Sequence, residues 1–292
     1  MHDARRRWLL LQQDFGGDEV IFDVPVDLGA VLRAGQPSLP TAPLNAAAEP
    51  SAPRPATGVA GRGGDQAVGT PALVAGDKSD WRIGAPPIPG SGLTVVTDAA
   101  RLLDEATQWQ SLDEIAAVVR TCPKCPLCRT RTHAVPGEGN PRAGLMIVGE
   151  GPGESEDRSG RPFVGRAGEL LDKMLAAIGI PRADTYIANV VKCRPPRNRV
   201  PLPDEREACI PYLWRQIALV QPRVLLALGG TAAETLLGVK TSLGQLRLKV
   251  HQWNGIPLIV TYHPAALLRN PNWKRPAWDD VRIVRQLLDR DA

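Results

Sequence analysis

Short apolar runs alternate with amphipathic segments along the C-terminal two thirds of the chain. Four runs read as buried strands, at 145–148, 186–191, 224–228 and 258–261. Between them, apolar residues recur at helical spacing, as in 170–178 and 206–220. Strands that alternate with helices indicate a parallel sheet covered on both faces. We therefore predict an α/β fold of three α/β/α layers around a central four-stranded, mainly parallel sheet.

Two more helices are predicted upstream of the first of these strands. One covers 99–109. The other begins at Ser111, which stands three residues before Glu114 in a capping-box pattern, and it ends at Cys122.

Composition divides the chain into three parts. Of the 57 residues from 34 to 90, 34 are Ala, Pro, Gly or Ser. Such a segment cannot bury enough apolar surface to offset its ordering entropy. We predict a short N-terminal segment over 1–33, a disordered linker over 34–95 and a folded domain over 96–292. One interpretation of the N-terminal extension is a tail that recruits a protein partner.

Net charge also divides the chain, near residue 120. Residues 1–120 have a net charge of −5, whereas residues 121–292 have a net charge of +9. A basic region of this kind favours a polyanionic partner, although a solvated surface without a partner has the same composition.

No apolar run approaches the ~18 residues that span a bilayer, and the N-terminus lacks the h-region of a secretory signal. We expect a cytoplasmic monomer that does not bind membranes.

The residues that follow each strand are the candidates for a binding site, because ligands of parallel sheets bind at the strands' carboxyl ends. The first strand leads into a turn with three glycines, 149–154, which matches neither the dinucleotide fingerprint nor the P-loop. Asn189 follows the second strand. Its amide offers a donor and an acceptor together, which suits a nucleobase edge, but a structural bond to a neighbouring loop is the alternative.

The fourth strand leads into a segment that combines a histidine, leucines and a basic residue. His263 comes first, and Leu267 and Leu268 stand beside Arg269. Exposed leucines next to a basic side chain suit a wedge between stacked bases. The alternative is a helical turn that packs its leucines inward.

The five cysteines form two remote groups. Cys122, Cys125 and Cys128 are spaced as C-x2-C-x2-C, and 15 residues separate Cys193 from Cys209. Five thiols are too few for a disulfide scaffold in a chain of this length. Four thiolates from two segments fit zinc or an iron–sulfur cluster, and one is then left over. Unrelated reduced cysteines are the alternative.

Five short motifs occur in a recognisable order between residues 122 and 271. They are Cys-Pro-Lys-Cys-Pro-Leu at 122–127, Gly-Glu-Gly-Pro-Gly-Glu-Ser-Glu-Asp at 149–157, Gly-Arg-Pro-Phe-Val-Gly-Arg-Ala-Gly at 160–168, Asn-Val-Val-Lys-Cys-Arg-Pro-Pro at 189–196 and His-Pro-Ala-Ala-Leu-Leu-Arg-Asn-Pro at 263–271. On these motifs, residues 111–292 resemble the family 4 uracil-DNA glycosylases, the iron–sulfur type of their superfamily. The resemblance does not extend to residues 1–95.

The resemblance implies a [4Fe–4S] cofactor and places its ligands. The matching positions are Cys122, Cys125, Cys193 and Cys209. Cys128 then lies where the family does not require a thiol.

The resemblance also implies a set of pocket and DNA-contacting residues. The catalytic pair matches Glu150 and His263, the base-binding positions match Gly151, Glu156, Phe163 and Asn189, and the minor-groove wedge matches Leu267, Leu268 and Arg269. The implied enzyme is a hydrolase that binds uracil-containing DNA, flips the uracil out and cleaves its N-glycosidic bond, leaving an abasic site for base excision repair.

The sequence also bears on three other interpretations. A covalent uracil-binding relative uses an extra histidine after the Asn strand, but no histidine lies between Asn189 and Cys209. A non-catalytic DNA-binding module is disfavoured because Phe163, Asn189 and His263 are all present. A zinc structural protein would be colourless, whereas an iron–sulfur protein would be brown.

Overall fold

A computed structural model describes residues 81–96 and 109–290. The predicted segment 1–33, most of the predicted linker and the predicted helix 99–109, apart from Trp109, lie outside these residues. Within them, strands form one sheet in the order β1-β6-β7-β5-β3-β4-β2. The strands are β1 Ser91–Val95, β2 Glu138–Gly139, β3 Leu145–Gly149, β4 Thr185–Asn189, β5 Val224–Leu228, β6 Val250–Trp253 and β7 Ile256–Thr261.

The four predicted strands are the parallel centre of this sheet. They lie in the order β7-β5-β3-β4, and every neighbouring pair is parallel. The fold class is therefore confirmed, but the sheet has seven strands in the described residues rather than four. The added strands are at the edges, where β2 is antiparallel to β4, and where β6 is antiparallel to β7 and carries β1 alongside it. They are short or partly polar, so they lack the continuous apolar run of a strand buried on both faces.

Helices cover both faces of the sheet. They are α1 Leu112–Thr121, α2 Glu154–Ser159, α3 Arg166–Ala177, α4 Pro203–Val220, α5 Gly230–Leu237, α6 Leu243–Leu246, α7 Pro264–Arg269 and α8 Lys274–Arg290. Side chains alternate between the faces along each strand. In β3, Met146 and Val148 join the core of α1, α4 and α5, while Leu145 and Ile147 join the core of α3 and α8. This alternation gives the predicted three layers.

The N-termini of α1 and α4 can be compared with their predicted starts. The Ser111 hydroxyl accepts a hydrogen bond from the Glu114 N–H at 3.1 Å, as predicted, but the Glu114 carboxylate binds the N–H of Gln110 rather than that of Ser111. Helix α4 begins three residues before the predicted start and continues through Pro211. Its first turn is closed by Glu205, which accepts from the Leu202 N–H at 2.7 Å.

The folded domain begins earlier than predicted. Residues 91–95, assigned to the linker, form β1, and Trp81 is also buried. Helix α8 holds the segment between them, since Arg282 and Gln286 donate to the carbonyls of Ile83 and Pro86. The predicted linker therefore ends before this segment. No helix in the described ranges is long and apolar enough to cross a membrane.

Candidate active site

The carboxyl ends of the central strands bring the predicted pocket residues together. Gly149 at the end of β3 is the register partner of Asn189 at the end of β4. On the other side, Gly229 follows β5, and a Cβ built on it would lie 3.2 Å from the Cβ of His263, which follows β7. Four consecutive strands of the sheet therefore frame one site.

Asn189 is the most unusual polar residue of this site. It is 1% exposed, and its Oδ1 has no hydrogen-bond partner. The backbone around it is firmly held, because Lys192 Nζ donates to the Asn189 carbonyl at 2.8 Å and the Val190 N–H donates to the Gly149 carbonyl at 2.9 Å. An unpaired buried acceptor costs about 1–3 kcal/mol. Such an atom, held rigidly in place, is suited to a ligand that brings the missing donor.

Phe163 lies beside this amide. A Cβ on Gly149 would meet Asn189 Oδ1 at 2.4 Å and Phe163 Cζ at 2.7 Å, so both side chains approach the same glycine and no larger residue fits there. The Phe163 ring is 5.4 Å from the His263 ring, centroid to centroid, at an interplanar angle of 31°. Phe163, Asn189 and His263 therefore face one site, although the Phe163 ring also packs into the core under α3.

His263 is held as a neutral donor. Its Nδ1 accepts from the Ala265 N–H at 3.2 Å, which caps α7 and leaves the ring proton on Nε2. Burial, followed by the charge of Arg269, lowers its pKa to about 4, against a weaker opposing effect of Glu156. At neutral pH the imidazole therefore presents an Nε2–H donor without a positive charge.

Glu150 and Gly151 form the turn after β3. The Glu150 carboxylate accepts a hydrogen bond from the Thr231 hydroxyl at the start of α5, and the Glu150 carbonyl accepts from the Val191 N–H at 3.1 Å. A Cβ on Gly151 would lie 2.7 Å from Val191 Cγ2, so glycine is needed for this close approach. The half-buried Glu150 is thus oriented at the same edge of the sheet.

Glu156 binds the protein backbone. Its carboxylate accepts from the N–H of Gly153 at 3.1 Å, and from the N–H groups of Val164 and Gly165 at 2.9 Å each. These bonds cap α2 and fix the segment that follows Phe163. The carboxylate is therefore engaged in positioning this segment.

The predicted wedge is only partly exposed. Leu267 is 1% exposed and packs with Leu170 and Ala277, which favours the alternative of an inward-packed helical turn for this residue. The reason is helical phase, because Leu267 lies three residues after the buried Pro264 on the inner face of α7. Leu268 is half-buried and Arg269 is exposed.

The cysteines of the two segments are neighbours. Cys125 shares a hydrogen bond with Cys209, which lowers the pKa of the Cys125 thiol to about 6 and, together with burial, raises that of Cys209. Burial also raises the pKa of Cys193, which lies within the electrostatic reach of Cys122 and Cys125.

Two further side chains donate to these sulfurs. Arg131 Nη1 lies 3.0 Å from Cys193 Sγ, and the Tyr212 hydroxyl lies 3.2 Å from Cys122 Sγ. In residues 81–96 and 109–290, no three His, Cys, Asp or Glu side chains converge on a position for a single metal ion. The Cys128 thiol is directed elsewhere, toward the Pro123 carbonyl at 3.9 Å.

Comparison with known proteins identifies the family. The family model described as the uracil DNA glycosylase superfamily matches residues 136–282. A type-4 uracil-DNA glycosylase of Pyrobaculum aerophilum is 48% identical over 168 residues, which are 55% of this chain and 86% of the relative. The chain belongs to the type-4 uracil-DNA glycosylases.

Other type-4 uracil-DNA glycosylases agree with this assignment. The Saccharolobus solfataricus protein is 46% identical over 187 residues, 61% of this chain and 87% of the relative. The Thermotoga maritima protein is 43% identical over 190 residues, 64% of this chain and 99% of the relative. The family resemblance drawn from the sequence motifs is therefore confirmed.

Sequence reasoning missed two residues of this type-4 site. Thr231 binds the Glu150 carboxylate, and Lys192 joins the Asn189 carbonyl to Gln216 Oε1 at 2.7 Å. Thr231 follows the double glycine after β5, so its position at a strand end was a usable signal. Lys192 gave none, because a lysine in a basic segment indicates exposure whereas this one is 1% exposed.

Proposed function

We propose that this chain hydrolyses the N-glycosidic bond between uracil and deoxyribose in DNA, leaving an abasic site for base excision repair. The observation that carries the proposal is the unpaired, buried Oδ1 of Asn189 between Phe163 and the strand ends. Uracil supplies the missing donor, because its N3–H can bond to Oδ1 while its O4 accepts from the amide nitrogen of Asn189.

The same amide discriminates against cytosine. Cytosine presents an acceptor at N3 and a donor at its exocyclic amine, the reverse of uracil. Bound in this pocket it would leave Oδ1 unpaired and set donor against donor. Sites that bind a polar edge reject analogues without it by large factors, about 10⁴–10⁵ in favourable cases.

His263 is proposed to stabilise the departing base. As the N1–C1′ bond breaks, its electron pair moves into the uracil ring and gives O2 a negative charge. The Nε2–H of His263, which the bond at Nδ1 leaves on that side of the ring, is suited to donate to O2. Donors fixed in advance at a developing oxyanion contribute about 2.7–4 kcal/mol in other enzymes.

Glu150 is proposed to act on the sugar side. Its carboxylate, oriented by Thr231, holds the attacking water and stabilises the positive charge that develops on deoxyribose. The water oxygen bonds to C1′, its proton passes to the carboxylate, and uracil leaves as the anion. Gly151 keeps the turn close enough for this geometry.

Base flipping needs contacts outside the pocket. Extruding a nucleotide costs a few kcal/mol, and stacking on Phe163 returns about 1–3 kcal/mol. We assign the wedge to Leu268, on the turn after His263, with Arg269 as a phosphate contact. Leu267 supports that turn from the core.

A [4Fe–4S] cluster is proposed at the cysteines. The residues fit this group, because four thiols from two segments lie close together, Cys122, Cys193 and Cys209 are buried, and Arg131 and Tyr212 donate to two of the sulfurs. When bound, the cluster would cross-link the start of the domain to the segment between Cys193 and Cys209. Cys128 is left outside the ligand set.

Uracil release from the purified full chain tests the proposal. We expect an oligonucleotide with one uracil to yield free uracil and an alkali-sensitive site, and an identical oligonucleotide with thymine to yield neither. Iron and sulfide are quantified in the same sample, and we expect about four of each per chain. Absence of uracil release at every salt concentration would refute the enzyme assignment, and stoichiometric zinc without iron would refute the cluster.

A covalent uracil-binding relative predicts a different product. It would give a protein–DNA adduct that survives denaturing electrophoresis in place of free uracil. We expect no such adduct. Action as a monomer in the cytoplasm stays a prediction, which gel filtration and fractionation can check.

A further inference from the structure

The backbone at Phe163 has a conformation that is rare for residues other than glycine. Phe163 has a φ of +50°, in the left-handed region that non-glycine residues seldom occupy. The chain then turns directly into α3, where a Cβ on Gly168 would lie 1.9 Å from the Phe163 carbonyl oxygen. Such a conformation persists only where surrounding groups hold it, and it occurs often at functional sites.

Arg182 holds the two carbonyls on either side of this turn. Its Nη2 donates to the Pro162 carbonyl at 2.6 Å, and its Nη1 donates to the Phe163 carbonyl at 3.1 Å. Glu156 binds the next two N–H groups, those of Val164 and Gly165. Four backbone groups of residues 162–165 are thus fixed by one guanidinium and one carboxylate.

Arg182 is itself held by two carboxylates at its guanidinium and by one bond at its backbone. Glu138 on β2 accepts from Nη2 at 3.0 Å, and Asp172 on α3 accepts from Nη1 at 3.0 Å. The Arg182 carbonyl accepts from the buried Thr185 hydroxyl at 2.7 Å, which anchors its own backbone. Burial would raise the pKa of Glu138, but hydrogen bonds from Arg161 and Arg182 outweigh it and hold that pKa below its usual value. The Glu138 carboxylate therefore stays charged at neutral pH.

We infer that Arg182 is a positioning residue of the uracil pocket, which acts through Phe163 by fixing the ring beside Asn189 and His263. The inference deepens the proposed function and depends on it. Arginine suits this role because its planar fork reaches two carbonyls and two carboxylates at once, whereas a lysine ammonium is a single point charge. Removing it leaves the carbonyls of residues 162 and 163 without this donor and lets the ring move away from the flipped base.

Arg161 provides a matched control. It binds the same carboxylate, with Nε and Nη2 2.8 and 3.1 Å from the oxygens of Glu138, but no bond from its side chain reaches residues 162 or 163. It is also largely exposed. An ion pair that matters only for the stability of β2 would be weakened by either substitution.

A double-mutant cycle distinguishes positioning from general stability. Single-turnover uracil release is measured for the wild type, Arg182→Gln, Arg161→Gln, Phe163→Ala and the Phe163→Ala/Arg182→Gln double variant, together with their unfolding midpoints. We expect Arg182→Gln to slow release at least about tenfold and Arg161→Gln to slow it less than about twofold, since small displacements of a binding wall can cost up to ~10²-fold. In the Phe163→Ala background, Arg182→Gln should add less than about twofold.

Failure of this inference and failure of the proposed function give different results. An equal, multiplicative loss in both backgrounds, or equal losses for Arg182→Gln and Arg161→Gln, would overturn the inference. If Arg182→Gln does not fold, Arg182→Lys replaces it under the same criteria, because lysine retains the charge and can reach one carbonyl. An inactive wild-type chain would instead refute the proposed function, so the two failures are distinguishable.

Discussion

The pocket at the strand ends and the cysteine corner, formed by Cys122, Cys125, Cys193 and Cys209, differ in how their polar groups are satisfied. In the pocket, Asn189 keeps a buried oxygen without a partner. In the corner, Cys122 and Cys193 accept from protein side chains, and Cys125 and Cys209 share a hydrogen bond. A bound base thus supplies the donor that the pocket lacks, whereas the sulfurs of the corner connect remote segments of the chain. Substitutions of Asn189 or His263 should therefore mainly cost activity, and substitutions in the corner should cost stability as well.

Loss of a corner thiol should have the largest effect. Cys209→Ser removes a buried proposed ligand, so we expect loss of bound iron and destabilisation on the order of 4–5 kcal/mol, as for other lost metal sites. Iron content and chemical denaturation measure both. Cys128→Ser is the matched control, and wild-type iron content and stability are expected there. Equal iron loss in the two variants would contradict the proposed ligand set.

Substitution of His263 should separate activity from stability. We expect His263→Gln to slow uracil release about 10²–10³-fold, the usual effect of losing an oxyanion donor. The iron content should not change, because the proposed cluster ligands are the four cysteines and do not include His263. A release rate within about threefold of wild type would remove His263 from the chemistry.

The wild type and His263→Gln together also test the lowered pKa of His263. Its pKa in the folded chain is about 4, below the ~6.5 of an unfolded chain, so the unfolded state binds the proton first as the pH falls. As the pH is lowered from about 6.5 to 4, the free energy of unfolding therefore falls by about 3 kcal/mol, at about 1.36 kcal/mol per pKa unit. Denaturation at pH 7.5 and pH 4 should show this loss in the wild type and not in His263→Gln. Parallel pH profiles would contradict it.

The smallest effect is expected outside both regions. Deleting residues 1–80 should leave uracil release within about twofold of wild type, because the pocket residues described above lie between residues 149 and 269. Deleting residues 1–95 removes β1 and Trp81 as well, so a lower unfolding midpoint is expected. Loss of folding in the shorter deletion would refute the linker prediction.

The sequence predicted the centre of the sheet and most of the pocket for a physical reason. Strands buried on both faces read as continuous apolar runs, and the residues that end them must lie at one edge. Asn189 and His263 follow from this rule, and the motif resemblance adds their roles. Strand β6, between β1 and β7, contains His251 and Gln252, so its pattern gave no such run.

Contacts between remote segments could not be predicted in this way. Arg182 reaches Phe163 and Glu138 across 19 and 44 residues, and nothing local to it indicates either partner. The burial of Leu267 depends on the phase of a six-residue helix, which is too short to show a periodic pattern. Tertiary packing decides these features.

The base selectivity of Asn189→Asp shows whether the Asn189 amide reads uracil. Single-turnover release is measured from matched oligonucleotides that carry uracil or cytosine at one position. We expect the wild type to release uracil alone, and the variant to lose uracil release at least about 10²-fold or to lose its preference for uracil over cytosine. Wild-type rates and selectivity in the variant would show that the side-chain amide of Asn189 does not read the base.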